Sequence, residues 1–106
     1  VNVFDKARKA IEDAYEPTAA ALTQQIRQFA NQANWPEDVS SKLSVKQENG
    51  SFSYHWPKSI NDKVMGLEYG DYETPPNPVF RRHRNRTDDA MNYLVNRAWK
   101  NMGGLR

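Results

Sequence analysis

Asn49-Gly50 is the feature that most restricts what this chain can become. On its N-terminal side Leu43, Val45 and Gln47 alternate with Lys42, Ser44 and Lys46. On its C-terminal side Phe52, Tyr54 and Trp56 alternate with Ser51, Ser53 and His55. Period-two alternation on both flanks of an Asn-Gly pair predicts a β-hairpin with a two-residue type I′ turn, in which both central residues take positive φ. The register follows. Glu48 faces Ser51, Val45 faces Tyr54 and Leu43 faces Trp56, which puts one apolar face against whatever covers it. The strands are expected at about 39–47 and 51–57, the second ended by Pro57.

Helices flank the hairpin. Ile11, Tyr15, Leu22, Ile26, Phe29 and Ala33 recur at three, four or seven residues, with Ala19 and Ala20 filling the stripe. Lys9, Glu12, Asp13, Gln24, Arg27 and Gln28 occupy the opposite face. This is an amphipathic helix, with Asp5 a plausible N-cap. Pro17 lies inside it and predicts a kink or short break near residues 14–16. Pro36 disfavours helix at Trp35, so the helix stops by Asn34. In the last quarter Phe80, Met91, Leu94, Val95, Ala98 and Met102 form a second stripe. This helix starts at Thr87 as a cap, or already at Asn77 or Pro78, and ends at Gly103-Gly104.

Residues 59–66 are ambiguous. Ile60, Val64 and Leu67 suit a helical turn, and 64–69 could equally form a third short strand; a helical turn running into a short extended segment is the favoured reading. Gly70 to Pro78 contains Pro75, Pro76 and Pro78 and is a stiff, extended loop flanked by Tyr69 and Tyr72. Such a loop suits contact with a neighbour, and equally a connector laid over the core. The fold class expected is α+β, with a small antiparallel sheet packed against a long N-terminal and a C-terminal helix.

At 106 residues the chain fits a single domain, 1–106. It is polar, with 38% hydrophobic and 26% charged residues and a mean hydropathy of −0.94. Its core must be thin, which leaves room for partners to supply burial. No cysteine is present, so disulfides and thiolate metal sites are excluded. No apolar run approaches the roughly 20 residues of a spanning helix, so no membrane partner is expected. No charged-then-apolar signal segment opens the chain, and Val1 in first place is compatible with a removed initiator Met. A net charge of +2 is too small to argue nucleic-acid binding by itself.

Catalytic constellations are missing. His55 and His83 lie 28 residues apart, no His-x-x-x-His pair occurs, and no glycine-rich phosphate loop precedes a helix. Glu68 with Asp71, and Asp88 with Asp89, fit caps or solvated pairs better than a dyad. No catalysis, metal or cofactor is expected. The densest charge feature is Arg81, Arg82, His83, Arg84 and Arg86. Arginine suits bidentate contacts to carboxylate or phosphate. At a helix start such positive charge opposes the macrodipole, so either the cluster is not at a helix start or an anion compensates it: an acid of this chain, an acid of a neighbour, or DNA phosphate. A subunit interface or a merely solvated basic face ranks ahead of DNA contact, because no aromatics interleave the arginines.

Residues 35–86 carry a resemblance. Trp35-Pro36-Glu37-Asp38-Val39, Leu43-Ser44-Val45 and Asn49-Gly50 resemble the middle of small phage head–tail joining proteins. Leu67-Glu68-Tyr69-Gly70, followed by Pro75-Pro76-Asn77-Pro78-Val79 and Arg81-Arg82, is similar to the signature of the tail-completion (neck, minor tail) family of long-tailed double-stranded DNA bacteriophages. His83 and Arg84 stand where that family has a proline soon after the arginine, and the chain is short for the family. The resemblance implies a virion structural protein, assembled in the host cytoplasm into a ring, usually of six. The ring sits between the connector or head-closure protein and the tail terminator or tail tube, with viral DNA passing through. It implies that Glu68, Tyr69 and Gly70 hold the loop against the sheet. Tyr69, Tyr72, Pro75, Pro76, Arg81, Arg82, Arg84 and Arg86 are then the candidate interface, and Asn49 and Gly50 are structural. The alternatives are a tail terminator or minor tail protein, or a small DNA-binding module using Arg81 to Arg86.

Overall fold

The structure, a computed structural model, describes residues 3–101. Met102 and the expected Gly103-Gly104 terminator lie outside the described residues. Four helices and a hairpin follow in chain order: α1 (Val3–Gln32), α2 (Glu37–Ser40), β1 (Ser44–Glu48), β2 (Ser51–His55), α3 (Asn61–Tyr69) and α4 (Phe80–Asn101). A single 3-10 turn, Lys58–Ile60, leads into α3. The α+β class holds, with one two-stranded antiparallel sheet packed against α1 and α4.

The hairpin has the expected register, with Glu48 opposite Ser51 and Val45 opposite Tyr54. Asn49 and Gly50 take φ of 50° and 79°, as a type I′ turn requires. Leu43, Val45 and Phe52 are buried on the covered face. The outward backbone edge of β1 is satisfied by α1 side chains. Thr23 Oγ1 accepts from the Val45 N–H at 2.9 Å and donates to the Ala19 carbonyl at 2.8 Å; Arg27 Nε donates to the Leu43 carbonyl at 2.9 Å.

Three expectations about boundaries are corrected. The first strand does not reach back to 39, because Val39 and Ser40 belong to α2. There the Pro36 carbonyl accepts from both Val39 and Ser40 N–H at 2.9 Å, and Ser40 Oγ donates to Asn31. No third strand forms at 64–69. Ile60, Val64 and Glu68 recur every four residues on the buried side, so the segment is helical through to Tyr69. Asp5 lies within the first turn of α1 rather than capping it.

α1 runs unbroken through Pro17, without the expected break. Pro17 is exposed, so water can take the carbonyl left without its helical donor. At the other end the Trp35 N–H reaches the Ala30 carbonyl at 3.0 Å and the Asn34 N–H reaches Asn31 at 3.1 Å. With Asn34 at φ 61°, this is a Schellman motif whose outer apolar residue, Trp35, is buried beside Ala30. The core gathers Ile26, Trp35, Val39, Leu43, Val64 and Val79 around this end of the helix pair.

Candidate functional site

α4 begins at Phe80, so the arginine cluster does occupy its first turns, and the compensating anion belongs to this chain. Glu68, on the buried side of α3, is 1% exposed. Its Oε1 accepts from the Val79 and Phe80 N–H groups at 2.7 and 2.9 Å. Its Oε2 accepts from the Arg81 N–H at 3.2 Å and from Arg81 Nε at 3.1 Å. Arg81 Nη2 returns to the Glu68 carbonyl at 2.6 Å. One carboxylate therefore supplies what a local N-cap supplies elsewhere. It also places negative charge on the positive end of the α4 dipole and pairs with a cation. Thr87, a candidate cap from sequence, is buried in mid-helix and donates to the Arg84 carbonyl at 2.7 Å.

The loop between Glu68 and Val79 is pinned at both ends. Gly70 has φ 82°, and a Cβ there would lie 2.8 Å from Pro76. Asp71 Oδ1 accepts from Glu73 and Thr74 N–H at 2.9 and 2.8 Å, and these donors hold the Asp71 carboxyl below its ordinary range. Asn77 ties the far end. Its N–H donates to the Leu67 carbonyl at 2.8 Å and its Nδ2 to the Ala33 carbonyl at 2.7 Å, while Trp35 Nε1 donates to the Asn77 carbonyl at 3.0 Å. The loop is held through Leu67, Ala33 and Trp35, so Glu68 and Gly70 anchor it to the helix ends and not to the sheet. Tyr72 projects from the pinned loop with 108% relative exposure, beside exposed Pro75 and Pro76. Tyr69 is half exposed, and the Arg81 guanidinium carbon lies 5.1 Å from its ring centroid.

The rest of the arginine cluster is dispersed. At about 100° per residue, Arg82 and Arg86 share one side of α4, and Arg84 lies roughly 160° from both. Arg86 stacks on Phe29 of α1, 5.0 Å from the ring centroid. Arg82 and Arg84 are exposed. The structure thus brings together Glu68, Tyr69, Gly70 and Arg81. It turns Arg82 and Arg86 to another side of α4, leaves Arg84 one turn beyond Arg81, and leaves Asn49 and Gly50 as turn residues of the hairpin.

Sequence reasoning missed His83. It stands where the α4 stripe crosses the core and is 0% exposed. Tyr54 Oη lies 2.8 Å from Nδ1, and Gln25 Oε1 lies 2.8 Å from Nε2. A neutral ring protonated at Nε2 donates to Gln25 and accepts from Tyr54, which satisfies all three groups. Burial, with Arg86 nearby, pushes the His83 pKa down to about 4; burial pushes Tyr54 up to about 12. The ring packs edge-on to Phe29 at 5.0 Å, so one histidine joins α1, β2 and α4. Phe80 does the same for the aromatics: its ring stacks on Trp56 at 5.1 Å and meets Trp35 and Tyr54 at 5.7 and 4.8 Å. The signal available was spacing: Phe80, His83, Thr87, Ala90 and Leu94 recur at three or four residues, which puts the histidine on the buried stripe.

Among the described residues no group of three or more His, Cys, Asp or Glu could hold a metal ion. No described helix is long and apolar enough to cross a membrane. No protein-family model matches the chain, and no curated protein or solved structure matches it.

Proposed function

We propose that this chain is a structural protein of the head–tail junction of a long-tailed bacteriophage. It acts as one subunit of a ring, by fitting against its neighbours rather than by chemistry. One observation carries the reading. The residues that make the resemblance, Glu68, Tyr69, Gly70, the prolines and Arg81, form one mechanical unit: the carboxylate clamps the α4 start, and the loop between is locked with Tyr72 outward. A pre-ordered aromatic tip loses little conformational freedom on contact, which suits a repeated subunit interface. Contacts of this kind join unlike patches on successive copies and close when the rotation permits. Connector, tail terminator and tail tube proteins are the partners on either side. The dispersed arginines offer no continuous strip to a DNA backbone, which leaves DNA contact the weaker reading.

Mass spectrometry of purified virions tests the proposal. The chain is expected in finished particles at a fixed ratio to the tail tube protein, and loss of its gene is expected to leave unjoined heads and tails. Finished, infectious particles without the chain would overturn it. Tyr72→Ala is expected to leave the isolated protein folded and to reduce joining.

A further inference from the structure

Between residues 14–25 of α1 and 86–97 of α4 lies a groove of about 540 Å³ that no hairpin residue lines. Ala14, Leu22, Ala90 and Leu94 give it an apolar floor, and Tyr93, 61% exposed, stands at its wall. Its charges come from α4. At about 100° per residue, Arg82, Arg86, Asp89, Arg97 and Lys100 fall within about 80° of one another on the side of Tyr93, while Arg81, Arg84 and Asp88 point elsewhere. The α1 residues that line the groove, Pro17, Thr18 and Gln25 among them, are uncharged. Asp13 borders a recess at the Arg97 end, without an ion pair to it. Asp89 follows Arg86 by three residues and offsets it. Arg97 has no acid three or four residues away on α4, so it is the least compensated charge on the rim. The groove therefore suits an apolar group with a carboxylate beside it.

The chain carries such a group. Tyr72 stands between Asp71 and Glu73 at the tip of the pinned loop, wholly exposed and in contact with no groove of its own molecule. Asp71 is spent on holding the loop, whereas the Glu73 carboxylate is in no ion pair among the described residues. A ring flanked by acids matches a floor of alanine and leucine between arginines, and covering a tyrosine removes some 150–250 Å² from water. A phosphate chain fits less well. Its charges follow one another without a break, while here an apolar floor and Asp89 separate Arg86 from Arg97.

We propose that Tyr72 of one copy seats in the α1–α4 groove of the next, with Glu73 of the first against Arg97 of the second. The proposal rests on the reading of the Tyr72 loop as a contact between copies, and it supplies the surface that receives the loop. Tip and groove are different patches, so the contact is heterologous: each copy offers one of each, and the series closes when the rotation permits.

Sedimentation velocity on the full chain from about 10 µM to about 1 mM tests it. Association that grows past two copies is expected. Tyr72→Ala, Glu73→Arg and Arg97→Glu are each expected to weaken it at least roughly tenfold with helicity unchanged by circular dichroism, and Glu73→Arg combined with Arg97→Glu is expected to recover it. Mixing separates the two patches. Tyr72→Ala keeps its groove and Arg97→Glu keeps its tip, so together they are expected to form a one-to-one pair that grows no further. A chain monomeric throughout the range overturns the proposal. So does growth indifferent to these substitutions, or a mixture that forms no pair. Duplex DNA bound at low salt through Arg97, in place of a second copy, would assign the groove to nucleic acid and overturn it as well. If virions contain the chain and these association results fail, the head–tail reading stands and only this contact falls.

Discussion

At one end of the molecule three backbone amides and a guanidinium converge on the Glu68 carboxylate, and a buried histidine ties three elements together. At the other end two helices meet with only partly buried Ala14 and buried Leu94 and Ala98 along them, beside an apolar groove. Both ends use the same two helices. They differ in how each partner is chosen. In the head, polar groups from elements far apart in sequence have one arrangement that satisfies them all, which selects a single packing. In the arm, small and apolar side chains fit many apolar surfaces equally well. The head therefore specifies its own packing through polar groups, and the arm does not.

The largest test of that contrast is Glu68→Ala. It leaves buried amides and Arg81 without their acceptor and is expected to cost about 3–5 kcal/mol in urea unfolding, with Glu68→Gln costing less. A loss below about 1 kcal/mol would show that α4 starts without the clamp. Next is a matched pair of truncations. Ile26→Ala, at 0% exposure in the head, is expected to cost about 3–4 kcal/mol, whereas Ile11→Ala in the arm, where the side chain is only partly buried, should cost under about 1 kcal/mol. Equal losses would erase the distinction between the two ends.

The pH dependence comes third. His83 is held near 4 when folded and returns to about 6.5 when unfolded, so the unfolded chain binds the extra proton. Stability is expected to be unaffected by this group above about 6.5. It should fall as pH drops from there to about 4, by up to about 3 kcal/mol, and the slope should be absent in His83→Gln. The smallest test compares two glycines with positive φ. Gly70→Ala meets Pro76 as well as backbone strain and is expected to cost about 2–3 kcal/mol, while Gly50→Ala has open space and should cost about 1 kcal/mol. Thermal unfolding of both variants against the native chain measures the difference.

The hairpin was legible because its determinants are local: an Asn-Gly pair and six alternating residues state the turn, the register and the covered face. The stripe of α1 was legible for the same reason, and so was the choice of an anion at the start of α4, since a helix beginning in four arginines needs one. Which acid it would be was hidden, because Glu68 acts across 12 residues through a loop whose path no periodicity records. α4 itself was harder to read at its start. His83 and Thr87 fill core positions with polar atoms, so the apolar stripe showed a gap between Phe80 and Met91. The strand offered as an alternative at 64–69, and the extended segment expected there, failed for a related reason. Val64 to Tyr69 has β-compatible residues, and only the burial of Ile60, Val64 and Glu68 together reveals the helical period. The dispersal of the arginines around α4 could have been anticipated from spacing alone, once the helix start was known.

The Gln25–His83 contact spans 58 residues and joins α1 to α4. During synthesis α1 is made before α4 exists, and until then it has only α2, the hairpin and α3 to pack with. Closure of the pair must wait for α4, which makes the growing chain dependent on that helix in a way that the folded molecule conceals.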